Sequence, residues 1–258
     1  MSEIHHANGH EQAPAQHAVR YGARSLPFYW TQLDTAATPR PRKAVIHVHP
    51  NGEVEVQTPS GTSLAEAKRA LLKRARWVVE HLDAIHERQR HVLPRDYVSG
   101  ETLFYLGRRY VLKCVPSEEE RHVKLLRGQV RVTGTDLARE RVRSELRAWY
   151  RKRANDVFQR RLNHVAERLR WLQERPEWRL LEMKTQWGSC SPGGSILLNP
   201  HLVKAPTECI DYVILHELCH LEEHNHSQRF YDLLGYAMPR WEAVKHRLDG
   251  MSELLLNE

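Results

Sequence analysis

The sequence has no apolar run of the length that crosses a membrane. No part of its 258 residues approaches the roughly 18 consecutive apolar residues that indicate a transmembrane helix. The N-terminus also has no apolar stretch after a basic start, so it does not resemble a secretory signal. We therefore expect a cytoplasmic protein.

Cysteine is scarce, with four residues, and no two of them form a C-x-x-C pair. A chain of this length does not need disulfides to fold, so we expect reduced intracellular thiols. The spacing also disfavours a zinc site built from all four, which are Cys114, Cys190, Cys209 and Cys219. Repeats of fixed period are absent, which argues against a repeat architecture.

The composition that remains is typical of a soluble globular protein. The hydrophobic fraction is 41% and the charged fraction is 28%, so the chain can bury a sizeable core. The formal net charge of +7 permits contact with a polyanion such as DNA but does not require it. The class of partner is therefore left open by composition.

The N-terminal half is predicted to be β-rich. Residues 1–25 carry four histidines among Gly, Ala, Gln and Pro, which predicts a disordered tail. Residues 26–134 form the predicted N-terminal subdomain, an antiparallel β-rich unit with one helix. The helix is predicted from Ser63 to about His91, and Ser63 and Glu66 suit a capping box at its start. Paired runs with turn residues between them predict three hairpins: 44–49 with 53–57, 103–106 with 110–115, and 123–126 with 129–133.

Residues 135–258 are predicted to form a second unit with long helices. Its first helix, from about Asp136 to Glu174, has 12 Lys and Arg against 6 Asp and Glu through Arg175, a net charge of +6. A solvated helix face explains such a charge run, and contact with a polyanion is the functional alternative. Aromatic residues lie among these charges at helical spacing, which is more typical of core residues than of stacking platforms: Trp149, Tyr150, Phe158 and Trp171.

The motif that carries chemistry is His216-Glu217-Leu218-Cys219-His220, which matches H-E-x-x-H. Two histidines at positions i and i+4 project from one face of a helix and can hold one metal ion. Glu217 lies about 100° round the helix from His216, close enough to reach a water molecule beside that ion without binding the metal. Zinc with a nearby carboxylate base is the arrangement that metal-assisted hydrolysis requires.

The surroundings of the motif strengthen this interpretation, because the pentapeptide alone can arise by chance in a chain with 17 histidines. On a helical wheel an apolar stripe lies well away from the two histidines; its members are Ile210, Ile214, Leu218 and Leu221. Glu217 falls beside this stripe, where burial of a carboxylate is either destabilising or required for a function.

A catalytic zinc usually has three protein ligands, and His224 and His226 are the obvious candidates for the third. His224 lies about 12 Å along a continuous helix from His216, which is too far for one ion. His226 reaches the site if the chain turns back, and Asn225 followed by Gln228 suits a helix cap there. We therefore prefer His226. Acidic residues nearby are weaker candidates, typical of solvated surface: Glu222, Glu223 and Asp232.

The H-E-x-x-H-x5-H spacing also occurs in metzincins, but these carry Gly midway along the connection, where this chain has Glu223, and no later Met-turn is evident. A different ordered set of residues resembles the YgjP-like metallopeptidases, a group of predicted metal-dependent hydrolases akin to SprT-like and WLM zinc peptidases. Over 178–235 the set comprises Trp187-Gly188-Ser189-Cys190, Ile196-Leu197-Leu198-Asn199, Leu202, Pro206, Ile210-Asp211-Tyr212-Val213, the H-E-x-x-H helix and Asn225-His226-Ser227 with Phe230. The stretch from Gly100 to Tyr110 extends the likeness towards residue 40.

This resemblance implies an α+β fold with a zincin-like metallopeptidase core in residues 135–258. It implies that His216, His220 and His226 hold zinc and that Glu217 is the general base. One departure is Tyr231, where the family often has Trp, and we expect it to affect packing. The link of the relatives to proteolysis of DNA-associated proteins makes the basic helix of interest as a family-level analogy.

The segment Trp187-Gly188-Ser189-Cys190 has two interpretations. It is either a tight turn in which Gly188, Gly193 and Gly194 supply unusual backbone geometry, or a wall of the cleft beside a strand edge that pairs with an extended peptide. Cys190 has no identifiable partner base, so we do not expect it to be a nucleophile. Cys219 is most simply a small core residue.

Three functions follow from these features. The leading hypothesis is a zinc-dependent metallopeptidase that hydrolyses peptide bonds in a peptide or protein substrate. The second is a nucleic-acid-associated module whose zinc is structural and therefore closed by four protein ligands. The third is a peptidase that acts on DNA-bound proteins and contacts DNA through Arg151, Lys152 and Arg153. No membrane partner is expected.

Overall fold

A computed structural model of the chain describes residues 16–33, 44–49, 52–90, 95–183, 186–191 and 193–257. The chain divides into two compact units, one that ends at Asp83 and one that begins at Ala84. Both contain helices and strands, which confirms the predicted α+β class. Among the described helices, none combines the length and hydropathy that a bilayer crossing requires.

The first unit is built on a four-stranded mixed sheet with the order β1-β2-β4-β3. Its strands are β1 (Gln16–Tyr21), β2 (Arg24–Leu33), β3 (Val45–Val48) and β4 (Val54–Pro59). The predicted β3–β4 hairpin is confirmed, and β2 pairs with β4 in parallel. Strand β1 corrects the predicted tail over residues 16–25, because Val19 is buried with Leu26 and Phe28 of β2. Residues 1–15 lie outside the described part of the chain.

Two consecutive helices follow, α1 (Leu64–Lys73) and α2 (Ala75–Arg90), where the sequence predicted one. The predicted capping box is confirmed, since the Ser63 side chain accepts from the Glu66 backbone N–H and Glu66 accepts from the Ser63 backbone. The interruption falls at Arg74, whose backbone has φ −112° and ψ 7°. The apolar residues of both helices nevertheless share one core with the sheet.

In its described part, the second unit contains the end of α2, a four-stranded mixed sheet, a three-stranded sheet and five further α-helices. The four-stranded sheet has the order β5-β6-β8-β7, and its strands are β5 (Thr102–Tyr105), β6 (Arg108–Pro116), β7 (His122–Leu126) and β8 (Gln129–Gly134). Both predicted hairpins are confirmed, and β6 pairs with β8 in parallel. The three-stranded sheet has the order β10-β11-β9. Its strands are β9 (Trp178–Leu180), β10 (Gly188–Cys190) and β11 (Ile196–Leu198).

The helices of this unit surround one core. They are α3 (Arg139–Ala166), α4 (Thr207–Cys219), α5 (Gln228–Ala237), α6 (Trp241–Asp249) and α7 (Ser252–Leu256), with a short 3-10 helix at Pro200–Lys204 before α4. The sequence placed a domain boundary between residues 134 and 135, whereas β5–β8 pack in the same core as α3. The Tyr150 hydroxyl on α3 donates to the Phe104 carbonyl of β5 at 2.8 Å, a buried bond across that predicted boundary.

Aromatic residues of the basic helix α3 pack in this core. Trp149, Tyr150 and Phe158 are buried, as their helical spacing indicated. Part of the positive charge of the helix is engaged in ion pairs, since Arg147 binds Glu182 and Arg161 binds Asp211. The aromatic side chains are therefore not stacking platforms on the surface.

The tip of the β5–β6 hairpin fixes the segment that leads into α4. The backbone N–H of Leu106 donates to the Val203 carbonyl, and that of Gly107 donates to the Lys204 carbonyl, both at 3.0 Å. Gly107 has φ +75°, and a Cβ at this position would lie 2.9 Å from the Pro206 Cα. Only glycine meets both conditions without strain.

We predict that Gly107→Ala lowers the free energy of unfolding of the second unit by roughly 1–3 kcal/mol, because a side chain at this φ is strained and meets Pro206. Thermal unfolding followed by circular dichroism measures the change. Gly134→Ala is the control, since its Cβ would meet nothing closer than Arg121 Cγ at 3.8 Å. Equal stability of the two variants would contradict the prediction.

In the first unit, a carboxylate on β4 accepts several hydrogen bonds. His49 Nε2 lies 3.2 Å from one Glu55 oxygen, and Thr31 and Gln57 donate to the other at 3.0 and 3.2 Å. These hydrogen bonds lower the pKa of Glu55 to about 2, and the bond with His49 has the largest effect. Since the folded pKa lies below the ordinary value, this stabilisation is present above pH 4.5 and is lost as the pH falls towards 2.

Glu55→Gln is therefore expected to lower the melting temperature at neutral pH, and the difference from wild type should shrink as the pH falls from 5 to about 2. Calorimetry across that pH range measures both proteins. Glu53→Gln in the preceding turn serves as the comparison. A difference that stays constant with pH would show that the Glu55 carboxylate is not stabilised in the folded state.

Candidate metal centre

The candidate site is built on α4, which is buried around most of its circumference. Three members of the predicted apolar stripe, Ile210, Ile214 and Leu218, are fully buried, whereas Leu221 is half-buried and follows the end of the helix. The helix contacts α3, α5, α6, β10 and β11. It ends at Cys219, and His220 follows as its C-cap with α-helical backbone angles. The H-E-x-x-H motif therefore occupies the last turn of a core helix.

An ion pair fixes α4 against α3. Arg161 on α3 donates from Nε and Nη2 to the two carboxylate oxygens of Asp211 on α4, at 2.6 and 2.7 Å. Both side chains are largely shielded from solvent. A bidentate guanidinium–carboxylate pair fixes orientation as well as distance, so it sets the rotation of α4 about its axis.

The third histidine is delivered by the turn between α4 and α5. The predicted cap at Asn225 is wrong by two residues: Ser227 is the N-cap of α5, and its hydroxyl accepts from the Phe230 N–H at 3.3 Å. The Asn225 carbonyl accepts from the Ser227 N–H at 2.7 Å, which closes the turn. His226 thus precedes α5 and does not lie in its first turn.

The three predicted histidines come together. Each of His216, His220 and His226 offers a ring nitrogen, and these atoms lie within 4.8 Å of one another. The Nε2 atoms of His216 and His226 are 3.1 Å apart. The ring centroids form a near-equilateral triangle with sides of 4.8 to 5.0 Å. The chain reversal that the sequence required for His226 is present.

Aromatic side chains hold the histidine rings in place. The buried ring of Phe230 on α5 lies 4.7 to 5.0 Å from all three histidine rings. Tyr231 stacks on His226 at 6.2 Å and on Trp241 at 5.3 Å. The departure from the family pattern at Tyr231 therefore lies in a packing contact with one of the three histidines.

Each histidine has its own orienting contacts. His220 Nδ1 lies 3.1 Å from the Glu223 carbonyl, so this nitrogen donates and Nε2 keeps its lone pair. His216 Nδ1 is buried and has no hydrogen-bond partner among the described residues. Edge contacts with the Tyr212 and Phe230 rings orient His216 instead.

Burial favours the neutral form of two of the histidines. Burial, followed by the neighbouring histidines, holds the pKa of His216 well below its ordinary value, and burial lowers the pKa of His220. Burial alone raises the pKa of Glu217, which is 5% exposed, to about 8. Among the described residues none donates a hydrogen bond to the Glu217 carboxylate.

The donor set fits a divalent metal ion such as zinc. Metal ligation needs neutral imidazole, which the lowered pKa of His216 and of His220 favours. Nitrogens bound to a tetrahedral zinc are about 3.3 Å apart, close to the 3.1 Å between His216 and His226. A buried carboxylate without a positive neighbour is unfavourable, and a bound dication would supply the missing charge.

The weaker candidates lie outside this cluster. His224 is exposed, Glu222 pairs with Arg229, and Asp232 accepts from Gln228. Glu223 contributes its backbone carbonyl to His220. All four cysteines are free thiols, and none joins the cluster among the described residues. Burial raises the pKa of Cys190 to about 11, in keeping with no role as a nucleophile.

The Trp187–Gly194 segment combines strand and turn. Residues 188–190 form β10, and the turn lies after it, where the Gly194 N–H donates to the Ser191 carbonyl at 2.9 Å. Gly194 has φ +83°, but Gly188 does not have a positive φ. The expectation of unusual backbone geometry at Gly188 is therefore wrong, and its surroundings explain the glycine instead.

Sequence reasoning missed two features of the site. It named Phe230 as part of the family resemblance and did not place its ring against the three histidines. It also took Gly188 for a turn residue, although a glycine inside a strand signals a close approach of another group. Both roles depend on tertiary contacts between elements that are distant in sequence.

Comparison with known proteins assigns the family. The model of the YgjP-like metallopeptidase domain matches residues 42–251. No curated protein matches. Among solved structures, the metallopeptidase zymogen abylysin of Pyrococcus abyssi is 27% identical over 39% of this chain and 97% of its own, with a TM-score of 0.35. The metallopeptidase zymogen jannalysin of Methanocaldococcus jannaschii is 23% identical over 35% of this chain and 86% of its own, with a TM-score of 0.32. The domain match spans most of the α+β chain and the whole histidine cluster, so this chain belongs to the YgjP-like metallopeptidase domain family.

Proposed function

We propose that this metallopeptidase uses zinc and hydrolyses peptide bonds with a water nucleophile and Glu217 as general base. The observation that carries the proposal is the convergence of three histidines, two of them with a lowered pKa, beside a buried carboxylate that lacks a compensating charge. Structural carboxylates in a core are normally paired or hydrogen-bonded. One that is neither, next to a metal-ligand set, is typical of a catalytic site.

His216, His220 and His226 would hold the ion. Zinc bound there supplies a Lewis acid that polarises the peptide carbonyl and makes water acidic near neutral pH. His216 and His220 are fixed by the core helix, and His226 by the turn before α5. The lowered pKa of His216 and of His220 favours neutral rings, whose nitrogens can ligate without a prior loss of a proton.

Glu217 moves the proton. Its carboxylate takes a proton from the attacking water and returns it to the nitrogen of the departing amine. Burial favours the protonated form, which makes the carboxylate a stronger base than an exposed glutamate. A pKa near neutrality suits a group that both accepts and donates within one cycle.

Strand β10 offers a place for the substrate backbone. It lies at the edge of the three-stranded sheet as the structure describes it, and it contacts α4. An extended peptide can add to such an edge through backbone hydrogen bonds. This supports a peptide or unfolded protein segment as the substrate.

The alternative of a structural zinc is less well supported. A structural site is closed by four protein ligands, whereas a catalytic site has three and an open position. In the described part of the chain the cluster has three members. No feature of α3 adds specific support for a nucleic-acid partner.

We predict that Glu217→Gln lowers kcat for peptide hydrolysis by about 10²–10⁴-fold, since the amide cannot accept the proton. Activity is measured on labelled casein and on a mixture of peptides read by mass spectrometry. Zinc content by atomic emission should stay at the wild-type level. Glu222→Gln is the control, because this side chain is exposed and pairs with Arg229.

Retention of full activity by Glu217→Gln would remove the glutamate from the mechanism. A purified wild-type protein that contains no zinc, and gains neither metal nor activity when zinc is added, would remove the zinc proposal. The two results are independent of each other.

His226→Ala is expected to weaken zinc affinity by more than the roughly 10–100-fold that loss of an outer-shell partner costs. Competition with a chromophoric chelator measures the affinity. His224→Ala is a matched control two residues away, exposed and outside the cluster. Identical affinities in the two variants would exclude His226 as a ligand.

A further inference from the structure

Gly188 on β10 lies directly against the catalytic candidate Glu217. A Cβ added at Gly188 would lie 2.6 Å from Glu217 Oε1, 2.8 Å from its Cγ and 3.0 Å from its Cδ. Real Cβ atoms do not approach other heavy atoms so closely. Because Gly188 does not have a positive φ, its backbone would accept alanine, so the proximity of Glu217 is what requires glycine.

The carboxylate has little freedom to move away. Two of the three close contacts involve Cγ and Cδ, so the conflict reaches into the stem of the side chain and not only its tip. Glu217 is buried in a helix packed between α3, β10 and β11. No described residue holds its carboxylate by a hydrogen bond, so packing alone sets its position.

Strand β10 is fixed as well. Gly188 pairs with Leu198 of β11, and the Asn199 N–H donates to the Trp187 carbonyl at 2.9 Å. The fully buried Asn199 side chain donates from Nδ2 to the Met183 and Gln186 carbonyls at 2.7 and 3.1 Å. Hydrogen bonds before the glycine and the pairing of residues 188–190 with β11 therefore hold the segment that carries Gly188.

We propose that Gly188 is a positioning residue for Glu217: the missing side chain forms the space that fixes the carboxylate at the histidine cluster. This inference rests on the proposed function of Glu217 as general base. A methyl group at position 188 displaces the carboxylate while the three histidines, on α4 and before α5, keep their places. Misplacement of a reacting group by about 1 Å costs on the order of 10²-fold in rate.

The test compares Gly188→Ala with Gly193→Ala in the full chain. A Cβ at Gly193 would meet nothing closer than Ser191 Oγ at 3.9 Å, so this nearby glycine is a matched control. On a peptide that the wild type cleaves, Gly188→Ala should lose about 100-fold in kcat, with KM and zinc content close to wild type. Gly193→Ala should match the wild type in all three.

A double-mutant cycle separates positioning from a general effect on the fold. Gly188→Ala should lower the melting temperature by roughly 3–10 °C when Glu217 is present and by much less in a Glu217→Ala background, where the space is open. Glu217→Asp, one methylene shorter, should restore part of the kcat lost in Gly188→Ala. If Gly188→Ala alone does not fold, recovery of folding in the double variant supports the same coupling.

The proposal is overturned if Gly188→Ala keeps wild-type kcat, or if it lowers the melting temperature equally in both backgrounds. Failure of the proposed function has a different signature, because Glu217→Gln itself then stays active. An inactive Glu217→Gln together with a fully active Gly188→Ala would reject the positioning role alone.

Discussion

The site depends on the burial of helix α4. A helix buried on almost every side gains stability from its apolar residues, with about 1.5–3 kcal/mol from each large side chain such as Ile210, Ile214 or Leu218. The same burial removes water from His216 and Glu217. Burial therefore favours the neutral form of both side chains, and it is the same packing that stabilises the fold.

The elements around α4 each constrain one degree of freedom. The Arg161–Asp211 pair fixes the rotation of the helix, and the β5–β6 hairpin tip fixes the chain that enters it. The Phe230 ring fixes the distance of α5 and thereby of His226. Strand β10 closes the remaining side next to Glu217. The site is thus a junction of elements that are distant in sequence.

The sequence predicted the parts of the site that follow local rules. The i, i+4 spacing placed His216 and His220 on one face, and the need for a chain reversal singled out His226. The hairpins and the Ser63 cap followed from turn and capping residues. These rules act over a few residues, so they can be read without the tertiary structure.

What the sequence did not predict depends on packing over long range. The domain boundary was misplaced because hydrophobic periodicity does not say which helix covers a sheet, and α3 covers β5–β8. Strand β1 was missed because Val19 is buried only once β2 lies beside it. The glycine at 188 was assigned to a turn because the group that excludes its side chain lies on a helix nearly thirty residues further on.

The unequal exposure of the three histidines has a consequence for what keeps them together. His216 lies in the buried helix α4 and His220 is its C-cap, while His226 is exposed and lies in the turn that precedes the Ser227 cap of α5. The core therefore fixes two of the rings, and the third ring depends on a surface turn. The stability of that turn and of the start of α5, more than that of the core helix, decides whether the three rings converge.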